Sequence, residues 1–153
     1  MDSSQISHLL SNNSLFGGVY SCDTIPKTDE RPIAFVVNTH EITSPGEHWQ
    51  VILLVDNHKI EFFDSFGFPP DVSFICDYID DNATDWCYSS KTLQHPHKQS
   101  CGMFCVSFIQ CRDQGGTYRD FLNEYTKDLL HNEKIVWKNG ARQNHNHQGI
   151  RRN

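Results

Sequence analysis

Apolar positions change rhythm several times along this chain, and each rhythm predicts an element. Near the start, Ile6, Leu9 and Leu10 fall on one side of a short helix over residues 3–11, with Ser3 or Ser4 as its expected cap. The stretch N-N-S-L-F-G-G-V-Y-S-C-D-T-I-P that follows is rich in turn formers and predicts irregular chain. Three strand signals come next. I-A-F-V-V-N-T (33–39) is apolar and β-branched, and H-W-Q-V-I-L-L-V-D (48–56) is apolar on both faces after its first residues. The second run therefore predicts a central, covered strand. K-I-E-F-F-D-S-F (59–66) follows a polar turn near D-N-H, and the two predict an antiparallel hairpin.

Val72, Ile75, Cys76 and Ile79 sit at helical spacing and predict a helix over 71–81, with an Asp in its first turn. W-C-Y-S-S-K-T-L (86–93) predicts another strand. From Cys101 the run C-G-M-F-C-V-S-F-I-Q-C is apolar nearly all round, which marks a buried helix ended by D-Q-G-G. Residues 117–131 predict one amphipathic helix with Phe121, Leu122, Tyr125, Leu129 and Leu130 inward. The order α, βββ, α, β, αα predicts an α+β fold: a central antiparallel or mixed sheet packed against a buried helix with a cysteine at its N-terminus.

Length changes this picture little: 153 residues make one domain over 1–153. Ten Phe, five Tyr and three Trp supply bulky core material. No apolar run approaches the roughly 20 residues that span a bilayer, and M-D-S-S-Q-I-S-H-L-L lacks the basic and apolar parts of a secretory signal. The expectation is an intracellular or particle-enclosed protein, away from membranes. Net charge is −6 with histidines neutral, which argues against whole-surface attraction to nucleic acid. The exception is the end of the chain, 138–153, where Lys138, Arg142, Arg151 and Arg152 occur without an acid. It is expected as a flexible, solvated basic tail rather than a binding arm.

The six cysteines, at 22, 76, 87, 101, 105 and 111, form no C-x-x-C pair, and with no secretory signal they are expected as free thiols. His145 and His147 in the polar tail are a poor metal signal. Cys101 stands apart, because it follows the polar loop Q-H-P-H-K-Q-S and opens the apolar helix. A free thiol near pKa 8.5 is mostly protonated at neutral pH. The first turn of a helix has unpaired N–H groups and a partial positive charge that favour a thiolate. The same groups can hold the oxyanion formed when a thiolate attacks a carbonyl. Gly102 leaves room beside the sulfur for a substrate backbone. Cys105 and Cys111 lie deeper in the helix and are expected as core residues.

A cysteine nucleophile commonly needs a histidine, and the histidine a group to orient it. Of nine histidines, His48 opens an otherwise apolar strand; taken alone it is a strand-end residue that meets water. Asp64 changes that weighting, since a carboxylate inside F-F-D-S-F is costly without a partner. His48 and Asp64 lie on the two arms of the hairpin, separated by 16 positions. They face each other if the loop holds an odd number of residues, such as 55–57; a two-residue Asn57-His58 turn would put Asp64 opposite Val51. Gln94, seven positions before Cys101, can supply a side-chain amide to an oxyanion.

N-T-H-E-I-T-S-P-G-E-H-W, then F-F-D-S-F-G-F, then Q-H-P-H-K-Q-S-C-G-M-F-C resemble the adenovirus proteinase (adenain) family, with its relatives in large DNA viruses, virophages and Maverick-type transposons. The order His, acid, Gln, Cys also matches the ubiquitin-like-protein proteases of the same clan. The resemblance spans roughly residues 14–112. It implies His48 as general base, Asp64 as its orienter, Gln94 as oxyanion donor and Cys101 as nucleophile. Gly46, Glu47, Trp49 and Gly102 become the expected substrate-binding positions. The acid is a glutamate in adenoviruses and an aspartate in the ubiquitin-like-protein branch, as here.

The resemblance further implies a cysteine endopeptidase that processes viral capsid and core precursors, often beside glycine, in a virus factory or virion. It implies no required cofactor, with an activating peptide as an optional partner. Cys87 lies roughly where the adenoviral enzyme has the cysteine that pairs with that peptide; the gap to Cys101 differs, and an unpaired thiol is the preferred expectation. Much of the adenoviral C-terminal region is missing, and with the net acidity this weakens activation by DNA. A monomer is expected. The rivals are an isopeptidase acting on ubiquitin-like conjugates, a non-catalytic domain of the same fold, and a redox protein using Cys101 and Cys105. The last ranks lowest, since a disulfide within regular helix is geometrically awkward.

Overall fold

The doubly apolar run near residue 50 forms the middle of a five-stranded sheet. The computed structural model describes residues 1–44 and 48–150, with side chains through Gly140. The strands are β1 (Phe16–Ser21), β2 (Ile33–Asn38), β3 (Trp49–Leu54), β4 (Lys59–Phe63) and β5 (Asp85–Tyr88), paired in that order. β1 is parallel to β2 and β4 to β5, while β2–β3 and β3–β4 are antiparallel. The helices are α1 (Ser3–Leu9), α2 (Ser73–Asn82), α3 (Cys101–Asp113), α4 (Tyr118–Asn123) and α5 (Leu129–Ile150).

Alternation along β2 and β3 explains why both faces are apolar. Ala34, Val36, Val51 and Leu53 face one core, filled by α1, α3, α4 and α5 through Ile6, Leu10, Phe104, Phe108, Phe121 and Val136. Phe35, Val37, Ile52 and Leu54 face a second core closed by Ile75, Tyr78 and Ile79 of α2. The result is three layers with a mixed sheet in the middle, the predicted α+β class. α3 is buried along Cys101–Gln110, so its all-round apolar pattern follows from cover on every side.

Four local expectations are corrected. Asp2 caps α1, in a capping box with Gln5, rather than Ser3 or Ser4. The G-G-V-Y stretch forms β1 with an irregularity between Phe16 and Gly18, where Gly18 takes φ 125°. The strand predicted over 86–93 ends at Tyr88. The single helix predicted over 117–131 is two: α4 stops at Asn123, Lys91 Nζ donates to the carbonyls of Leu122 and Tyr125 at its end, and α5 starts at Leu129. The break turns Leu130 outward, leaving it 53% exposed rather than inward. α5 carries helix through residue 150, and 151–153, the end of the expected basic tail, lie outside the described residues. Among the described residues, no helix is long and apolar enough to cross a membrane.

Candidate active site

The β3–β4 hairpin turns through three residues, Asp56, Asn57 and His58, and Asp56 Oδ1 accepts from the N–H groups of His58 and Lys59. The loop is odd, which puts His48 and Asp64 on one face. It lies one residue later than the 55–57 loop, so the register differs by two from direct opposition. Val51 pairs with Phe63 and Leu54 with Ile60. Extending that ladder sets Gln50 opposite Asp64 and His48 opposite Phe66. His48 therefore reaches Asp64 diagonally, with Nε2 at 2.9 Å from Oδ2. Its ring stacks on Phe66, centroids 5.1 Å apart at 25°.

Asp64 is buried and fully engaged. Oδ2 takes hydrogen bonds from His48 and from Gln50 Nε2 (2.7 Å), and Oδ1 takes one from the Phe66 N–H (2.7 Å). Burial alone would raise its carboxyl, but these bonds hold it below the ordinary aspartate range. With Nε2 committed to Asp64, Nδ1 is the imidazole nitrogen left for Cys101. Burial opposes charge on both groups, yet the neighbouring imidazole and the backbone N–H groups of Trp49 and Gly102 lower the Cys101 thiol. Against the same burial, Asp64 and Cys101 push His48 up to about 9. A thiol lowered from its ordinary value beside an imidazole raised to about 9 favours the thiolate–imidazolium pair.

Cys101, 8% exposed, lines a cleft of about 960 Å³ with His48, Trp49, Phe66, Gln94, Lys98, Gln99, Asn38 and, from the start of the chain, Met1, Asp2, Ser3 and Gln5. No side chain caps α3: Ser100 Oγ instead donates to the buried Glu133 (2.8 Å). The first-turn N–H groups of α3 thus stay available at the cleft. Gln94 is 1% exposed, and its orientation is fixed at both ends of the amide. Ser65 Oγ donates to Oε1 (2.5 Å), and Nε2 donates to the Lys98 carbonyl (2.7 Å), leaving a second N–H on that nitrogen. The arrangement can hold a carbonyl carbon near the sulfur with its oxygen between helix N–H groups and an amide.

The structure brings His48, Gln94 and Cys101 to one cleft with Asp64 buried behind the imidazole it bonds, and Trp49 lines the cleft, its Nε1 donating to the Met1 carbonyl (3.0 Å). Gly46 and Glu47 lie outside the described residues. Gly102 is buried, and the room left by its missing side chain is taken by Met1 and Trp49, whose atoms lie 3.2 to 3.3 Å from where a Cβ would stand. Close packing, rather than access for a substrate backbone, is what this glycine serves. Cys105 is wholly buried and its thiol is held far up by desolvation. Cys87 sits half-buried on β5, its thiol raised by burial and by Glu61, which slows disulfide exchange there. All six cysteines are free.

Gln50, Ser65, Phe66, Asn132 and Glu133 escaped the sequence-level search. Gln50 had a signal: it is the one polar residue within W-Q-V-I-L-L, as Asp64 is within its own aromatic strand. Asn132 and Glu133 had none, because their partners are distant in sequence. Asn132 Nδ2 donates to the Leu93 and Thr126 carbonyls, and Glu133 Oε1 accepts from the His95 N–H and Ser100 Oγ.

Solved structures with the same fold include two of unlike origin. The central domain of the uncharacterized Lpg1148 protein from Legionella pneumophila aligns at a TM-score of 0.53 and 13% identity, over 94% of this chain and 96% of that one. The ASFV pS273R protease aligns at 0.51 and 16% identity, over 90% of this chain and 64% of that one, so the chain spans less than two thirds of the protease's length. No protein-family model and no curated protein sequence matches the chain. The shared three-layer fold, one example of which is a viral protease, is what these likenesses establish.

Proposed function

We propose that the chain is a cysteine endopeptidase of the adenain type, acting on viral capsid and core precursors during virion maturation. The observation that carries this is the Asp64–His48 hydrogen bond in the same cleft as Cys101, which stands at the uncapped mouth of α3. The Cys101 thiolate attacks the scissile carbonyl carbon. The oxygen gains charge and is held by first-turn N–H groups of α3 and by the Gln94 amide. The amine leaves with a proton from His48, giving a thioester on Cys101. His48, now neutral, takes a proton from water, which attacks the thioester and releases the acid and the Cys101 thiolate, restoring the thiolate–imidazolium pair. Asp64 keeps the imidazole oriented and stabilises its charged form.

The likeness to a viral protease fold supports the same reading, as does the His, acid, Gln, Cys order. An isopeptidase for ubiquitin-like conjugates would use the same groups, and the aspartate at position 64 is the residue of that branch. The activator is a peptide or none; Cys87 is a slow attachment point for one. Mass spectrometry of candidate capsid proteins co-expressed with the chain or with Cys101→Ala tests the proposal, with a modifier fusion as the alternative substrate. Fragments of capsid proteins confined to the wild type are expected. Identical fragments from both chains would end the peptidase assignment, and cleavage of the fusion alone would move it to the isopeptidase.

A further inference from the structure

Gln50 occupies a place where a polar side chain is a liability. It is 3% exposed, on the central strand β3, paired with Val37 on one side and followed by Val51 and Ile52. Among the described residues, its Oε1 has no hydrogen-bond partner. A buried carbonyl oxygen left without a donor destabilises the fold, and an apolar residue of the same shape would relieve it. The other end of the amide makes the shortest side-chain hydrogen bond to the acid: Nε2 lies 2.7 Å from Asp64 Oδ2, the oxygen that also meets His48.

We propose that Gln50 is a positioning residue for the candidate catalytic pair, its amide pinning Asp64 so that Oδ2 is presented to the His48 imidazole. The inference rests on the peptidase assignment above and deepens it. Oδ1 is fixed by the Phe66 N–H, so the carboxylate is held at both oxygens. Without the Gln50 bond, Oδ2 is held only by the imidazole that it has to orient. The short aspartate reaches His48 only diagonally across the ladder, and a diagonal contact tolerates little rotation. Three titratable groups feel the carboxylate electrostatically: His48 ahead of β3, Cys105 on α3 and Tyr118 on α4. Gln50 is the neutral donor among them, so it holds the acid without adding a charge to the site.

The signs follow from the bonds. Loss of the Gln50 donation makes Asp64 a weaker base stabiliser, so the imidazolium and, through it, the Cys101 thiolate are both less favoured. The pH window of the thiolate–imidazolium pair narrows from both sides. Alkylation of Cys101 by iodoacetamide, followed at its own peptide by mass spectrometry from pH 5 to pH 10, reads this without any peptide substrate. Gln50→Met and Gln50→Leu are compared with wild type. Both are expected to slow alkylation at pH 6 by roughly 3- to 10-fold, while melting no lower than wild type because the orphaned oxygen is gone. Unchanged alkylation profiles in folded variants, or loss of folding in both, would overturn the inference and make Gln50 a structural residue. A wild-type Cys101 that alkylates like an ordinary thiol would strike the peptidase assignment itself, and the inference with it. A low-pH thiolate in wild type with flat variants would strike the inference alone.

Discussion

The N-termini of α3 and α4 are built in opposite ways. At α4, Thr117 and Asp120 form a capping box: the Thr117 hydroxyl accepts from the Asp120 N–H, and the Asp120 carboxylate accepts from the Thr117 N–H. At α3, Ser100 is a capable cap by residue type, yet its hydroxyl is drawn away to Glu133, and its backbone has φ −100° and ψ 6° instead of the extended conformation of Thr117. One helix end spends its N–H groups on itself. The other leaves them beside a sulfur that His48, Trp49 and Gly102 already stabilise as an anion. The difference teaches that the second end gives up local stability in favour of charge that arrives from outside the helix.

The comparison is broken most severely by His48→Ala. The thiolate loses its counter-ion, and kcat/KM should fall by about three to four orders of magnitude while circular dichroism is unchanged. Near-normal turnover would remove His48 from its assigned role. Asp64→Asn keeps the shape and removes the charge. Turnover should drop about 10²- to 10³-fold. The basic limb should also move down from about 9, because the buried imidazolium loses the carboxylate that raised it. A basic limb that stays in place would show that Asp64 does not set the His48 charge.

Glu133→Ala acts on the cap itself. It strips the acceptor from Ser100 Oγ and the His95 N–H, and should destabilise the protein by about 2 kcal/mol in denaturant melts. The freed Ser100 can then turn to the α3 N–H groups, and kcat should fall about tenfold with KM little changed. A stability loss with kcat intact would mean that Glu133 only braces the loop. Thr117→Ala is the control at the closed end: about 1 kcal/mol of stability lost and no change in activity. An activity loss there would mean that the two helix ends are not independent.

Much of the site is local enough for one-dimensional pattern. His48, Asp64 and Cys101 each sit in a setting that is wrong for their type: a polar residue in an apolar run, or an apolar helix opened by a thiol after a polar loop; Gln94, in a polar loop, stood out only by its spacing to Cys101. Burial makes such exceptions costly without a partner, so each signals one. Gln50 belongs to the same class and was passed over because a neutral amide in a strand attracts less notice than a charge. Leu130 shows the limit of periodicity: its helical spacing was sound, but the break between α4 and α5 reset the phase.

Side-chain alternation and helical spacing, which are properties of neighbours along the chain, were enough for the strands, for the buried α3 with Cys101 at its mouth and for the hairpin that carries His48 and Asp64, but not for the face those two share, which depended on the length of the loop. Only the tertiary structure decided the ladder register that made the His48–Asp64 contact diagonal and put Gln50 opposite the acid. It alone joined Asn132 and Glu133 to the loop that carries Gln94, and packed Met1 over Gly102. Those contacts join residues tens of positions apart, and their free energy exists only once two cores have closed on the sheet.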